Sequence, residues 1–160
     1  MRLSLLAIGK MKKGPETDLL ERYLDRAEKA GKQLGISSVA MIEHSESRAA
    51  SVELRKGEEA KLLIGAAKPG AFIIALDEHG KDIGSADLAE LARGNMENAV
   101  PEMAFVIGGP DGHGQEILQS ANLVLRMGKM TWPHQLARVM LAEQLYRSIT
   151  ILSGHPYHRV

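Results

Sequence analysis

The feature that most constrains this chain is the stretch from Glu102 to Gly114. An apolar run from Met103 to Ile107 stops abruptly in Gly-Gly-Pro-Asp-Gly-His-Gly, four glycines in seven residues. A block this short, bounded by turn residues and carrying Phe105, Val106 and Ile107, reads as a buried strand. In the loop, Pro110 fixes φ, Asp111 can bond back to the chain, and Gly112 tolerates positive φ. Sheets of α/β proteins keep their ligands beyond strand ends of this kind. The same spacing also suits a plain tight β-to-α connection, so the loop alone leaves both readings open. Its glycines match neither the Gly-x-Gly-x-x-Gly dinucleotide fingerprint nor a Gly-Lys-Ser/Thr phosphate loop.

Elsewhere apolar blocks alternate with amphipathic stretches. Residues 1–9 read as a strand ended by Gly9, followed by a loop with Lys10, Lys12 and Lys13 before Pro15. Leu19, Leu20, Tyr23, Leu24 and Ala27 have helical spacing over 16–34. A weaker strand is expected over 36–42 and a helix over 46–66, mildly interrupted by Gly57. Residues 71–76 form a strong strand, with Asp77 to Lys81 as a charged turn and Ser85 as the expected cap of the next helix. A short helix over 115–120, a short strand over 123–125 and a helix over 133–151 complete the pattern. Such alternation predicts an α/β fold, a mostly parallel sheet with helices on both faces. No repeat or linker divides the chain, so a single domain over 1–160 is expected.

The absence of cysteine excludes a disulfide scaffold and thiolate metal ligation. The six histidines have no i, i+4 helical pair, so no metal is expected. The N-terminal apolar run is too short for a signal peptide, and no segment has the length of a membrane span, which points to a soluble cytoplasmic protein. Lys+Arg and Asp+Glu are 20 each, which argues against gripping nucleic acid by bulk charge while leaving room for a local basic patch.

A second candidate ligand loop, 126–134, leaves the last strand through Gly128, brings the only Trp, and enters the last helix with Thr131 as expected cap and Pro133 in its first turn. That helix is apolar on most faces, at Leu136, Val139, Met140, Leu141, Leu145, Ile149 and Ile151. It must therefore be covered on most faces, and a homodimer is the economical cover. Glu143 and Arg147 have the spacing of a surface or interface pair. Arg138 lies within two helical turns of Trp132, close to the loop. The tail, Gly-His-Pro-Tyr-His-Arg-Val, is either an idle terminus or a functional one in which Tyr157 stacks on a base and Arg159 pairs with phosphate.

Three blocks carry a resemblance: Phe105-Val-Ile-Gly-Gly-Pro-Asp-Gly, the run from Lys129-Met-Thr-Trp-Pro-His to Arg147, and His155-Pro-Tyr-His-Arg. Together with the opening Leu-Ala-Ile-Gly-Lys, they resemble the RlmH family of large-subunit ribosomal RNA pseudouridine N-methyltransferases, within the SPOUT superfamily. The resemblance implies an α/β fold with a deep C-terminal trefoil knot, which chain-connection rules alone would disfavour. It implies S-adenosyl-L-methionine as methyl donor and a homodimer acting on 23S rRNA in the assembled ribosome, at ring nitrogen 3 of pseudouridine-1915. By motif, Leu76, Gly108, Met127, Gly128, Lys129, Met130, Thr131 and Trp132 would bind the cofactor. Tyr157, His158 and Arg159 would contact RNA, with Tyr157, His158 and Arg138 as catalytic candidates. Trp132 stands where an aliphatic residue or Phe also occurs in the family. The target nitrogen carries a proton that must leave, and His158 has the side-chain chemistry of a general base. The alternative expectation is a non-catalytic nucleotide- or RNA-binding dimeric module using the same loops.

Overall fold

In the computed structural model, which describes residues 1–158, the apolar blocks form strands β1 (Arg2–Ile8), β2 (Ser38–His44), β3 (Phe72–Lys81), β4 (Glu102–Ile107) and β5 (Leu123–Leu125). They make one parallel sheet in the order β2-β1-β4-β3-β5. Between and after them lie α1 (Pro15–Gly31), α2 (Val52–Ala66), α3 (Ser85–Glu97), α4 (Gln115–Ser120) and α5 (His134–Leu152). The central strands are covered on both sides, as parallel sheets require. Leu3, Leu5, Met103, Phe105 and Ile107 point into a core shared with α1, α3 and α5. Leu6, Ile8, Ala104 and Val106 point into a second core against α2 and α4. Because all strands are parallel, every strand-to-helix loop opens at one edge of the sheet.

Several local expectations give way to tertiary structure. The segment Asp77–Lys81 continues β3 instead of forming a turn, because it pairs again with Leu125. The second helix begins only at Val52, where the Ser51 hydroxyl accepts from the Leu54 N–H. Ser85 is not a cap: Gly84 takes that place, its N–H donating to Asp87, while the Ser85 hydroxyl donates to Gln144. Thr131 does not cap α5, which starts after Pro133 without a side-chain cap. The apolar faces of α5 are largely covered within the chain, since it packs on both α1 and α3 and buries Val139, Leu141, Ala142, Leu145 and Ile149. Leu136 remains exposed. Glu143 and Arg147 pair as expected but sit partly buried.

Candidate functional site

At the loop edge, the ends of β3, β4 and β5 open into a cleft of about 740 Å³. Its walls are the glycine loop (Gly108, Gly109, Pro110 and Gly112) and the segment from Arg126 to Trp132, with Leu76 and Ile107 at the strand ends between them. All eight residues expected to bind a cofactor line this cleft: Leu76, Gly108, Met127, Gly128, Lys129, Met130, Thr131 and Trp132. It also holds residues that the sequence reading passed over, Asp77, Glu78, His79 and His113. The position of the first three directly after an apolar strand block was the signal for them.

The wall from Arg126 to Trp132 is fixed to β3 by a close backbone passage. The β3 strand pairs with Leu125 at Leu76, bulges away, and pairs with Leu125 again at Lys81. The Arg126 N–H donates to the Lys81 carbonyl at 3.1 Å. Gly80 permits this crossing: a Cβ there would lie 2.5 Å from the Leu125 carbonyl carbon and 2.8 Å from the Arg126 nitrogen. The Asp82 carboxylate accepts from both Nε and Nη2 of Arg126, and the Trp132 indole donates to the Met127 carbonyl at 2.9 Å, closing the 127–132 segment on itself. Gly128, at φ +88°, supplies the left-handed turn.

The glycine loop is held as firmly. Arg55 on α2 donates from Nε to Asp111 at 2.6 Å, and this hydrogen bond keeps the Asp111 acid below the ordinary carboxylate range. Gly108 sits in close contact with the Gly112 backbone, which lies 3.1 Å from where a Cβ would be, so a side chain there would push that backbone by a few tenths of an ångström. His113 is buried beneath the loop beside the Leu76 and Val106 carbonyls, and burial pulls its pKa down. Its Nε2 has no hydrogen-bond partner among the described residues.

The family model described as "Predicted SPOUT methyltransferase" matches residues 1–158. This chain belongs to the SPOUT methyltransferase family. It is 49% identical to the ribosomal RNA large subunit methyltransferase H of Brucella anthropi over 99% of each chain. It is also 49% identical to the protein of that name from Rhizobium etli, over the whole of both. A crystal structure of a probable methyltransferase from Bordetella pertussis shares the fold at a TM-score of 0.50, with 14% identity, covering 92% of this chain and 95% of that one. The fold class is thus the SPOUT α/β-knot.

In this SPOUT methyltransferase Arg138, Tyr157 and His158 do not line the cleft. Arg138 is 3% exposed and does not line it. Its guanidinium donates to the Ile8 carbonyl at 2.7 Å, the Gly9 carbonyl at 3.0 Å and the Glu43 carboxylate at 2.8 Å, so it ties α5 to the ends of β1 and β2. Tyr157 is packed rather than free. Its ring lies 4.7 Å from that of Tyr146, Arg147 stacks over it, and its hydroxyl donates to Glu143 at 2.9 Å. Burial and these hydrogen bonds push its pKa above the ordinary tyrosine value. His158 is partly buried, and its Nδ1 has no partner among the described residues. Arg159 lies outside the described residues. Neither Tyr157 nor His158 lines the cleft of its own chain.

Proposed function

We propose that this chain methylates ring nitrogen 3 of a pseudouridine in 23S rRNA, pseudouridine-1915, on the assembled ribosome, using S-adenosyl-L-methionine. The observation that carries the reading is the convergence of two strand-end loops, far apart in sequence, on one cleft in a methyltransferase-family chain. The names of the relatives from Brucella and Rhizobium support large-subunit rRNA as substrate. The cleft volume, about 740 Å³, is in the ordinary small-ligand range of roughly 300–1,000 Å³.

S-adenosyl-L-methionine, when bound, supplies a methyl group activated on a positively charged sulfonium. Backbone groups of the glycine loop and of residues 127–132 offer donors and acceptors to its adenine and amino-acid parts. The Asp77 and Glu78 carboxylates at the rim complement its positive charge. Holding donor and acceptor in near-attack geometry lowers the barrier by about 7–11 kcal/mol in favourable cases. The proton on the target nitrogen must pass to a base, and we assign that role to His158, with Tyr157 anchoring the tail through Glu143.

A tail that misses its own cleft is supplied by a second copy, so the proposal includes a cytoplasmic homodimer built from one SPOUT unit spanning residues 1–160. An open groove of about 690 Å³, lined by Leu19, Tyr23, Val139 and Met140, shares Leu125 to Gly128 with the cleft and supports this. Exposed Met130 and Trp132 line the adjoining cleft.

Incubation with ribosomes from cells lacking the enzyme, followed by mass spectrometry of 23S rRNA fragments, tests the reaction. One methyl group added to the pseudouridine fragment is the expected result, and unmodified RNA would overturn the reading. His158→Ala should reduce transfer far more than cofactor affinity, and equal losses would remove His158 from the mechanism.

A further inference from the structure

The charges of this chain balance overall, yet they are unevenly placed along the edge that carries the cleft. The loop after β1 (residues 9–14) and the loop after β2 (residues 45–51) contain Lys10, Lys12, Lys13 and Arg48 against a single acid, Glu46. Lys10, Lys12, Lys13 and Arg48 are all exposed. None of the four forms an ion pair among the described residues. Lys10 and Arg48 stand on the walls of a depression of about 340 Å³, with Ser45 and Glu46 between them.

This rim is rigidly joined to the cleft. In the sheet β1 lies beside β4, and Ile8 Cγ2 is 3.0 Å from the position a Cβ would take on Gly109. The loop backbone is braced from inside. Arg138 holds the Ile8 and Gly9 carbonyls, the Gly9 N–H donates to the His44 carbonyl, and the Met11 N–H donates to Glu43. The Thr17 hydroxyl donates to the Lys12 carbonyl at 2.6 Å. A backbone fixed at so many points presents its lysines outward without a large ordering cost on binding.

We propose that these two loops form a phosphate-binding rim that holds the backbone of the substrate RNA beside the cleft. The proposal rests on the rRNA reading above and adds to it a second anchor, distant from the C-terminal tail. Arg138 is then a positioning residue for the rim. Glu46 weakens the attraction but leaves the two loops with three net positive charges.

The test uses the full-length chain and intact ribosomes, comparing Lys12→Gln/Lys13→Gln with the wild type. As a control, Lys32→Gln/Lys68→Gln removes two exposed charges from the opposite edge, after α1 and before β3. Each phosphate contact is worth about threefold in affinity at moderate salt, so the rim variant should raise KM for ribosomes about tenfold. It should also flatten the log–log salt dependence of ribosome binding by about one unit per lysine. S-adenosylmethionine affinity and kcat at saturating ribosomes should hold, as should every property of the control. A wild-type KM and salt slope in the rim variant overturn the rim while leaving the methyltransferase reading standing. Equal losses in the control mean diffuse charge and also overturn it. A wild-type chain that neither binds nor methylates ribosomes overturns the functional reading, and the rim with it.

Discussion

Replacing Gly80 with Ala adds one methyl group at the point where β3 passes the start of the second cleft wall. The added carbon would sit 2.5 Å from the Leu125 carbonyl carbon, 2.7 Å from the Leu125 nitrogen and 2.8 Å from the Arg126 nitrogen. Ordinary contacts of this kind begin at 3.4 Å, so the two backbones must separate by about 0.9 Å, and no side chain can swing aside to absorb it. The φ of Gly80 lies outside the left-handed region, which makes the effect purely steric. Overpacking costs about 1–3 kcal/mol in general, and three backbone contacts place this substitution at the upper end. At roughly 2–4 °C per kcal/mol for a chain of this size, the melting temperature should fall by about 6–12 °C. Arg126 and the residues after it would shift with Leu125, so calorimetric titration should show S-adenosylmethionine affinity reduced at least tenfold, about 1.4 kcal/mol. Gly57→Ala, inside α2 with nothing within 4 Å, is the matched control and should stabilise by about 0.5–1 kcal/mol. A Gly80→Ala protein with wild-type melting temperature and cofactor affinity would refute the argument that this crossing sets the cleft.

Arg138→Met strips the guanidinium from Glu43 and from the Ile8 and Gly9 carbonyls, and should cost about 3 kcal/mol in urea unfolding; a loss below about 1 kcal/mol contradicts the brace. The lowered pKa of Asp111 means that its pairing with Arg55 stabilises fully above the unfolded value near pH 3.9 and fades as pH falls through the folded one. The stability gap between wild type and Asp111→Asn should therefore shrink in acid below about pH 4, and a gap unchanged at pH 2.5 would count against the pair. Buried His113 also has a lowered pKa, so the unfolded chain takes up its proton first and stability declines as pH falls below about 6.5. His113→Leu should flatten stability between about pH 7 and 5, and an unaltered profile would assign that slope to other groups.

The parts of this fold visible in the sequence are those encoded by short apolar blocks with glycine at their ends. The strand before Gly9 and the strand before Gly108 were legible for this reason, as were the two loops that became the cleft walls. Assigning cofactor residues to those loops came from the resemblance, not from spacing. The continuation of β3 through Asp77–Lys81 was hidden, because five polar or glycine residues look like a turn until Leu125 supplies a partner. Gly80 was the available clue, since a glycine within a strand often marks a close backbone approach. Arg138 looked like a neighbour of the 126–134 loop, but its bonds are to carbonyls at the opposite end of the chain, which no periodicity encodes. Likewise α5 read as needing cover on most faces without showing by what: α1 and α3 bury Val139, Leu141, Leu145 and Ile149, while Leu136 stays exposed.

The clasp of residues 76–81 around Leu125 also means that the cleft can be completed only late in the protein's own synthesis. A nascent chain halted after Ser120 would hold four of the five strands, but it would lack one wall of the cleft and Arg138. Truncated products should therefore lack methyltransferase activity, and the methyl donor should find a seat only once translation has run nearly to its end.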